Sequence, residues 1–392
     1  MPNLVLIILL AAFPALSTDM YLPAIPTLQD MWGISLAQAN LSLVVFFVCF
    51  SFFLLVHGPL SDRIGRKPVL VGGVLLYIVG SFACAASGSI TQLVLARMAQ
   101  ATGAAAASFL SLALTKDLYE GLDRQKVLAL IGVIVPLCPM LAPMLGGWML
   151  GSLSWRWIFI CQGTCALAAL YGGFRLREPE FERTTGGLGA VVSRYRVLLS
   201  NRRYVIYTLV FSIMPTGFFA FIGGSADIYI RDFGLDAQSY GLAFGFNALG
   251  MMAGSFACSR LCVGFESWKI LKFSLVGLFV GGAGILLGGA ASPWIFALPM
   301  FVVSFFMGLS RPLANHMTLE EVDTDVGAAS AVMTFGLFMF AAVAMEVVSL
   351  GLMPKPEFIA ALTLVGAVLP MVTLALLGRH ERRRARRAEE KE

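Results

Sequence analysis

Four ionisable residues lie inside long apolar stretches of this 392-residue chain. Asp19, Arg97, Arg311 and Glu346 each interrupt a run that is otherwise built from apolar and small side chains. A charge at the centre of a bilayer costs at least ~2.5–3.5 kcal/mol on insertion scales, so such a residue needs a partner or a water-filled cavity. The chemistry that these residues predict is reversible protonation and the binding of charged groups.

Asp19 is the best candidate for a proton carrier, because a carboxylate in a cavity that opens to each side in turn can gain a proton on one side and lose it on the other. The alternative is a structural carboxylate that is held by Ser17, Thr18 or an arginine. Arg97 either pairs with a carboxylate or substrate, or holds helices together. Glu346 is either a second proton site or a residue that reaches water near a helix end.

Two further charged residues have mainly structural interpretations. Asp227 lies at the end of an apolar run, and its position favours an interfacial anion. For Arg311 the sequence favours an ion pair with the acidic segment that follows it, which contains Glu320, Glu321, Asp323 and Asp325.

The composition predicts an all-α integral membrane protein. The chain is 58% hydrophobic and 13% charged, with a mean hydropathy of +0.82, whereas a soluble domain is about a quarter charged. Twelve apolar runs lie between residues 4 and 377, and each is near the ~20 residues that a spanning helix needs. The seven cysteines show no CxxC spacing, so we predict neither a metal site nor a disulfide framework.

Several protein classes lack their sequence signals. The chain has no HExxH, GxSxG or P-loop motif, so we predict neither an enzyme nor an ATP-driven pump, and no cofactor. The net charge of +5 comes from loops and from the basic tail, so it does not predict nucleic-acid binding.

The basic residues predict the orientation. With both termini in the cytoplasm, 23 of the 28 Lys and Arg residues lie in inner loops or the tail, as the positive-inside rule requires. We therefore predict a multi-pass protein of the bacterial inner membrane with cytoplasmic N- and C-termini.

The longest polar interruption, residues 175–203, divides the twelve runs six to six. We predict an N-terminal six-helix bundle at 1–174, a cytoplasmic linker at 175–203, a C-terminal six-helix bundle at 204–378 and a basic cytoplasmic tail at 379–392. Within the linker, AVVSRYRVLLSNRR has the pattern of a helix on the membrane surface. STDMYL (17–22) and SADIYI (225–230) lie at matching places, which favours an internal duplication and two pseudo-symmetric bundles.

Proline, glycine and aromatic residues suggest a hinge and a binding cavity. In the fifth helix, proline removes backbone donors and glycine removes bulk, so we predict a hinge at Pro139, Pro143, Gly146 and Gly147. Aromatic side chains line a substrate cavity or face lipid and core. Our candidates for substrate binding are Tyr21, Phe46, Phe50, Phe218, Asn247 and Phe335.

GPLSDRIGRKP (58–68) is a charged segment between the second and third apolar runs, with the spacing G-x-L-x-D-R-x-G-R-[RK]. It matches at every fixed position a pattern of the major facilitator superfamily, and the chain resembles in particular the Bcr/CflA-type drug:proton antiporters of its DHA1 group. STDMYLPAIP (17–26) closely resembles the first-helix signature of that branch. R-x-x-Q-x-x-G at 97–103 and PMLAPMLGG at 139–147 resemble the motifs of the fourth and fifth helices. KDLY at 116–119 and FNALG at 246–250 are similar to shorter segments of the branch.

The resemblance implies a fold of twelve helices in two bundles, alternating access, and drug export in exchange for protons. It implies that Asp19 is protonated in competition with substrate, and that Arg97 is coupled to it. Some drug antiporters carry a further acid where this chain has Ala11, so a second proton site would lie elsewhere, such as at Glu346.

The resemblance also implies that the loop at 58–67 gates the conformational change. In this interpretation Asp62 latches the outward-open state, with Lys116 and Asp117 as its partners. The predicted gating residues are Gly58, Asp62, Arg63, Gly65, Arg66, Lys67, Lys116 and Asp117.

We therefore predict a proton-coupled secondary transporter that exports drug-like amphipathic compounds, including antibiotics. Its predicted partners are a small-molecule substrate, protons and the lipid bilayer, and it is predicted to be a monomer. One alternative is an exporter or importer of a metabolite such as a sugar, nucleoside or amino acid. An alternative from another class is a membrane receptor or scaffold that does not transport.

Overall fold

A computed structural model describes residues 3–179, 188–322 and 325–389, and these residues form helices and turns without a strand. Twelve segments are long and apolar enough to cross a membrane, which confirms the predicted number. In chain order the spans are Leu4–Trp32, Leu36–Ile64, Arg66–Ala86, Ile90–Leu118, Gly121–Ser152, Arg156–Arg175, Arg202–Asp232, Ala237–Leu261, Ser267–Gly288, Pro293–Leu319, Val326–Ser349 and Lys355–Leu376. The chain is an all-α integral membrane protein.

The spans form two bundles with the same internal arrangement. In the N-terminal bundle the third span packs against the fourth and the sixth, and the first packs against the fifth. Each of these contacts has a counterpart six spans later: ninth with tenth and twelfth, and seventh with eleventh. Between the bundles, the second span packs against the eleventh and the fifth against the eighth, so the predicted pseudo-symmetry is confirmed.

The first and seventh spans are interrupted at the repeated hexapeptides. The first span consists of helix Leu4–Asp19, a 3-10 turn at Leu22–Ala24 and helix Ile25–Trp32. The seventh consists of helices Arg202–Ile213 and Thr216–Ala226 followed by a π-helical turn, Asp227–Asp232. Asp19 ends its helix and Asp227 begins the π-helical turn. Interrupted helices of this kind carry ligand sites in many transporters.

The two bundles meet on one face of the molecule. We call the face that carries the loops at 65, 119–120 and 262–266 the basic face, and the other the opposite face. On the opposite face, Asn40 of the second span donates hydrogen bonds of 2.6 Å to the Gly223 carbonyl and to Ser349 Oγ of the other bundle. In the fifth span, residues 121–137 near the basic face are largely exposed, whereas Ala142, Pro143, Gly146 and Gly147 are buried. The bundles therefore close on the opposite face and separate toward the basic face.

The linker contains the predicted helix, at Leu188–Ser200. Its Tyr195 hydroxyl donates a 3.0 Å hydrogen bond to the Leu55 carbonyl at the basic end of the second span. The more acidic part of the linker, residues 180–187, lies outside the described residues, as does Asp323. The last helix, Lys355–Glu389, continues past the predicted boundary at residue 378, and the domain boundaries stay predictions.

Candidate proton and substrate site

Asp19 is a buried carboxylate at the point where the first span is interrupted. Only 6% of its surface is exposed, and its Oδ1 accepts a 3.1 Å hydrogen bond from Thr18 Oγ1. Among the described residues Asp19 makes no ion pair. The carbonyl of the next residue, Met20, packs against Gly146 of the fifth span. The fifth span in turn packs against the eighth, so Asp19 lies near the boundary between the bundles. Such a group is stable in the membrane with a proton or a bound cation.

Arg97 is completely buried in the N-terminal bundle, and its hydrogen bonds go to neutral acceptors. Its Nη1 donates to the Ser17 carbonyl at 2.9 Å and to Gln100 Oε1 at 2.7 Å. The Ser17 carbonyl lies near the C-terminal end of the helix that carries Asp19, where the helix dipole favours a cation. Arg97 Nη2 has no hydrogen-bond partner among the described residues. Arg97 thus holds the backbone beside Asp19 without pairing with the carboxylate.

A chain of amides extends from Arg97 and was not predicted. Gln100 Nε2 donates to Ser81 Oγ and to Gln162 Oε1, both at 2.9 Å. Gln162 Nε2 then donates to the Leu16 carbonyl at 3.0 Å. The network ties the third, fourth and sixth spans to the end of the first helix. Its sequence signal is an uncharged amide, Gln162, within an apolar run, which is weaker than the signal of a charge.

Three of the predicted substrate residues surround Arg97 or continue from it. The guanidinium carbon lies 5.0 Å from the ring centroid of Tyr21 and 4.4 Å from that of Phe46, distances typical of cation–π contacts. Phe46 stacks on Phe50, and Phe50 meets Phe338 of the eleventh span at 5.4 Å between centroids. All three predicted residues are buried. In this conformation Phe46, Phe50 and Phe338 form an aromatic seam between the bundles.

The other predicted substrate residues lie in the C-terminal bundle. Phe218 and Phe335 are partly buried. Asn247 is 1% exposed, donates to the Ala243 carbonyl at 3.0 Å, and has an Oδ1 without a partner among the described residues. Phe338, which was not among our substrate candidates, lies three residues beyond Phe335. It contacts Phe47 and Phe50 of the other bundle.

Asp227 belongs to a network of charges on the opposite face. Its Oδ2 lies 2.5 Å from Lys355 Nζ, and its Oδ1 accepts a 3.1 Å hydrogen bond from Gln29 of the other bundle. Arg231 pairs with Asp30 and donates to Gln29 Oε1 at 3.0 Å. The two aspartates of the hexapeptide repeat therefore differ: Asp227 is neutralised by a cation, and Asp19 is not.

Glu346 and Arg311 are the two remaining charged residues that the sequence places within spans. Glu346 is partly buried, and its Oε2 is buried without a hydrogen-bond partner among the described residues. The predicted ion pair of Arg311 is wrong for the three acids that the structure describes. Glu320 pairs with His316, Glu321 with Arg203 and Asp325 with Arg194. The helix carries Arg311 about two turns before these acids, too far along the axis for direct contact.

The predicted gating loop is organised around Arg66. Its Nη1 lies 2.5 Å from Asp62 Oδ1, and its Nε lies 2.8 Å from Asp117 Oδ2 at the end of the fourth span. Asp117 was predicted as a partner of Asp62, but both carboxylates pair with Arg66. Arg63 and Lys116 are exposed. Gly65 has φ +114°, a conformation that side chains disfavour.

Glu178 completes this loop and was not predicted. Its carboxylate accepts hydrogen bonds from the backbone N–H groups of Arg66 and Lys67, at 2.5 and 3.0 Å. These two donors begin the third span, where an anion is favoured by the free N–H groups and the helix dipole. A Cβ at Gly65 would lie 2.8 Å from Glu178 Oε1. Gly65 therefore provides both the turn and the space for the carboxylate.

The predicted hinge glycines lie at tight contacts of the fifth span. Gly146 packs against the Met20 carbonyl, and Gly147 packs against the Ala237 carbonyl of the other bundle. The span is one helix that includes Pro139 and Pro143.

Gly58, a predicted gating residue, packs against the Phe109 ring, where a Cβ would meet it at 3.2 Å. Among the described residues, no cluster of His, Cys, Asp and Glu is arranged to hold a metal ion.

The chain belongs to the Major Facilitator Superfamily, whose family model matches residues 7–345. It is 29% identical to the uncharacterized MFS-type transporter YdgK of Bacillus subtilis, over 83% of each chain. It is 28% identical to a chloramphenicol resistance protein of Pseudomonas aeruginosa, over 83% of this chain and 79% of that one.

A solved structure, the D-xylose-proton symporter, shares the fold with a TM-score of 0.73 and 14% identity. The match covers 94% of this chain and 96% of that one. The superfamily that the motifs indicated is thus confirmed. The Pseudomonas relative is named a chloramphenicol resistance protein, which agrees with the drug-antiporter branch.

Proposed function

We propose that this protein exports drug-like amphipathic compounds, antibiotics among them, from the bacterial cytoplasm in exchange for protons. The contrast between the two repeated aspartates carries the proposal. Asp227 has an ammonium group at 2.5 Å, whereas Asp19 is buried with only a hydroxyl as its side-chain partner. A carboxylate in that environment serves as an exchangeable proton site. The name of the Pseudomonas relative supports drug export.

The proposed cycle is alternating access in the inner membrane by a monomer. The basic loops belong on the cytoplasmic side, so a molecule closed on the opposite face is open to the cytoplasm. A compound enters from there and reaches the aromatic seam of Phe46, Phe50 and Phe338 between the bundles. Asp19 releases its proton as substrate binds, and reprotonation from outside expels the substrate.

Other residues have supporting roles in this proposal. Arg97 fixes the backbone beside Asp19 and modulates its proton exchange, and Glu346 serves as a second proton site. Tyr21, Phe218, Asn247 and Phe335 contact the substrate. Arg66 and its partners Asp62 and Asp117 hold the 58–67 loop within the N-terminal bundle, and the loop is rearranged when the basic face closes. The fifth span acts as the hinge.

The proposal is tested with purified protein in proteoliposomes, with chloramphenicol as the first probe and a panel of further antibiotics. The wild type should release protons on adding a substrate and should accumulate it under a pH gradient. Asp19→Asn should abolish both effects while the protein still folds. Asp227→Asn makes the same change at the repeated position. It should lower the stability by removing an ion pair but should keep proton release and accumulation of substrate, so it is the matched control for proton coupling.

Normal gradient-driven transport by Asp19→Asn would contradict the role of this carboxylate. Transport of sugars, nucleosides or amino acids, with none of any antibiotic, would favour the metabolite alternative. Absence of flux for every compound tested would favour a receptor or scaffold.

A further inference from the structure

A polar cavity in the C-terminal bundle contains the charge of Arg311. It has a volume of about 70 Å³ and lies between the basic halves of the seventh, tenth and eleventh spans. A single water needs roughly 10–15 Å³ on the same measure, so the cavity admits a group of several heavy atoms. Its polar lining includes Thr208, Ser212, Asn315, Ser330 and Thr334, and none of the described residues that line it is acidic.

Among the residues that the structure describes, Arg311 is the one charged side chain that lines this cavity. It makes no ion pair with the nearby acids of the described segment, because His316, Arg203 and Arg194 hold them. Within the described residues no hydrogen bond from its guanidinium is found either, and the residue is exposed to the cavity. A guanidinium inside a membrane span with no protein partner is costly to keep unless a ligand or water meets it.

We propose that this cavity is a subsite for an acidic oxygen group, such as a carboxylate, on the transported compound. The inference rests on the proposed function and narrows its substrate class. A guanidinium matches the planar geometry of a carboxylate and can donate two parallel hydrogen bonds to it. Asn315 lies one turn beyond Arg311 on the same helix, so its amide group faces the same cavity. The hydroxyls of Ser212 and Thr334 offer further donors.

The apolar part of the same cavity indicates where the rest of such a compound lies. Phe211, Met333 and Leu337 line it together with the polar groups, and Leu337 precedes Phe338 of the aromatic seam. An acidic aromatic compound can therefore place its carboxylate at Arg311 and its ring toward the seam. Asp19 lies in the other bundle and repels anions when it is charged, so an acid end directed to Arg311 is kept apart from the proton carrier.

The test compares two acids, nalidixate and salicylate, with their methyl esters. Binding to wild type and to Arg311→Gln is measured by calorimetry in phosphatidylcholine nanodiscs. The expected result is that the substitution weakens binding of the acids at least tenfold and changes binding of the esters less than twofold. Arg311→Lys should recover part of the loss. Arg260→Gln, the same charge change at an exposed residue of the eighth span, should leave all four affinities unchanged.

Three results would overturn the inference. The wild type binds neither acid, Arg311→Gln weakens the binding of acid and ester equally, or Arg311→Gln leaves the affinity for the acids unchanged. The measurement is then repeated with phosphatidylglycerol in the nanodiscs. If Arg311→Gln changes only the retention of this lipid, the cavity holds a headgroup phosphate and the inference is wrong. Proton release with neutral antibiotics is measured on the same samples. If the wild type releases no protons, the proposed function is contradicted. If it releases protons but Arg311→Gln does not weaken the acids more than the esters, only this inference is contradicted.

Discussion

Lys355 Nζ lies 2.5 Å from Asp227 Oδ2, and this ion pair neutralises the carboxylate that also binds Gln29 of the other bundle. The pair is largely sheltered, with side-chain exposures of 20% for Lys355 and 8% for Asp227. Lys355 also lies 2.9 Å from Asp232. The closed opposite face therefore depends on a lysine at the start of the twelfth span.

We expect Lys355→Gln to destabilise the protein by at most roughly 2–5 kcal/mol, the cost of truncating one partner of a buried charge pair, because Asp227 keeps Arg231 as a second cation at 3.8 Å. The double variant Asp227→Asn, Lys355→Gln should be less destabilised than the single one. It removes the sheltered carboxylate together with its ammonium partner, and the carboxylate that loses Lys355, Asp232, is half-exposed. Thermal unfolding in detergent measures both. Losses that simply add in the double variant would show that the two side chains do not act as a pair.

The environment of Arg97 predicts that lysine cannot replace it. An ammonium group would keep the charge but would lose the planar contacts with Tyr21 and Phe46 and part of the fork that reaches Ser17 and Gln100. Leaving a buried acceptor unsatisfied costs ~1–3 kcal/mol, so Arg97→Lys should lower the melting temperature by several degrees. Arg260→Lys, at an exposed arginine over Phe256, is the control. Equal melting temperatures for the two variants would refute this account.

Glu178 should stabilise the start of the third span. Its two hydrogen bonds resemble a helix N-cap, and removing such a cap costs about 0.5–2 kcal/mol. We expect Glu178→Ala to lower the free energy of unfolding by this amount. Glu178→Gln should lower it less, since the amide keeps one acceptor. Glu120→Gln is a matched control, because Glu120 precedes the fifth span without a side-chain cap hydrogen bond. The melting temperatures of the three variants give the ranking, and a Glu178→Ala variant as stable as the control would exclude the capping role.

Strong sequence signals predicted the twelve spans correctly, because apolar runs depend only on the local sequence. Isolated charges are as easy to find in the sequence, and the roles of Asp19, Arg97 and Glu346 stay predictions. The loop at 58–68 was found from its pattern, yet Glu178, about 110 residues later, completes it. Such a pairing depends on how the spans pack, so no local pattern reveals it.

The ion pair predicted for Arg311 is wrong for the same reason, because pairing depends on how the spans pack. Acids near it in the sequence are separated from it by helix geometry. Glu321 and Asp325 pair with cations of other segments, and Glu320 pairs with His316 of its own segment. The aromatic residues were predicted either to line a cavity or to face lipid and core, and Phe46 packs on Arg97. An aromatic side chain has the same sequence signal in either place.

Gly147 should control the closure of the opposite face. It packs against the Ala237 carbonyl at the start of the eighth span, where a Cβ would clash with the backbone. Overpacking of this kind costs typically ~1–3 kcal/mol, and here the cost falls on the conformation in which the bundles touch. Gly147→Ala should therefore shift the population toward a molecule open on the opposite face, by about fivefold or more.

Spin labels at Leu153 and Leu287, exposed residues on the opposite face of the two bundles, report this shift by pulsed EPR as a longer distance. Gly132→Ala is the control, because it lies in the same span and a Cβ there would meet nothing within 4 Å. The control should keep the wild-type distance distribution. An unchanged distribution in Gly147→Ala would mean that the fifth span accommodates the methyl group locally and that this contact does not set the equilibrium between the two states.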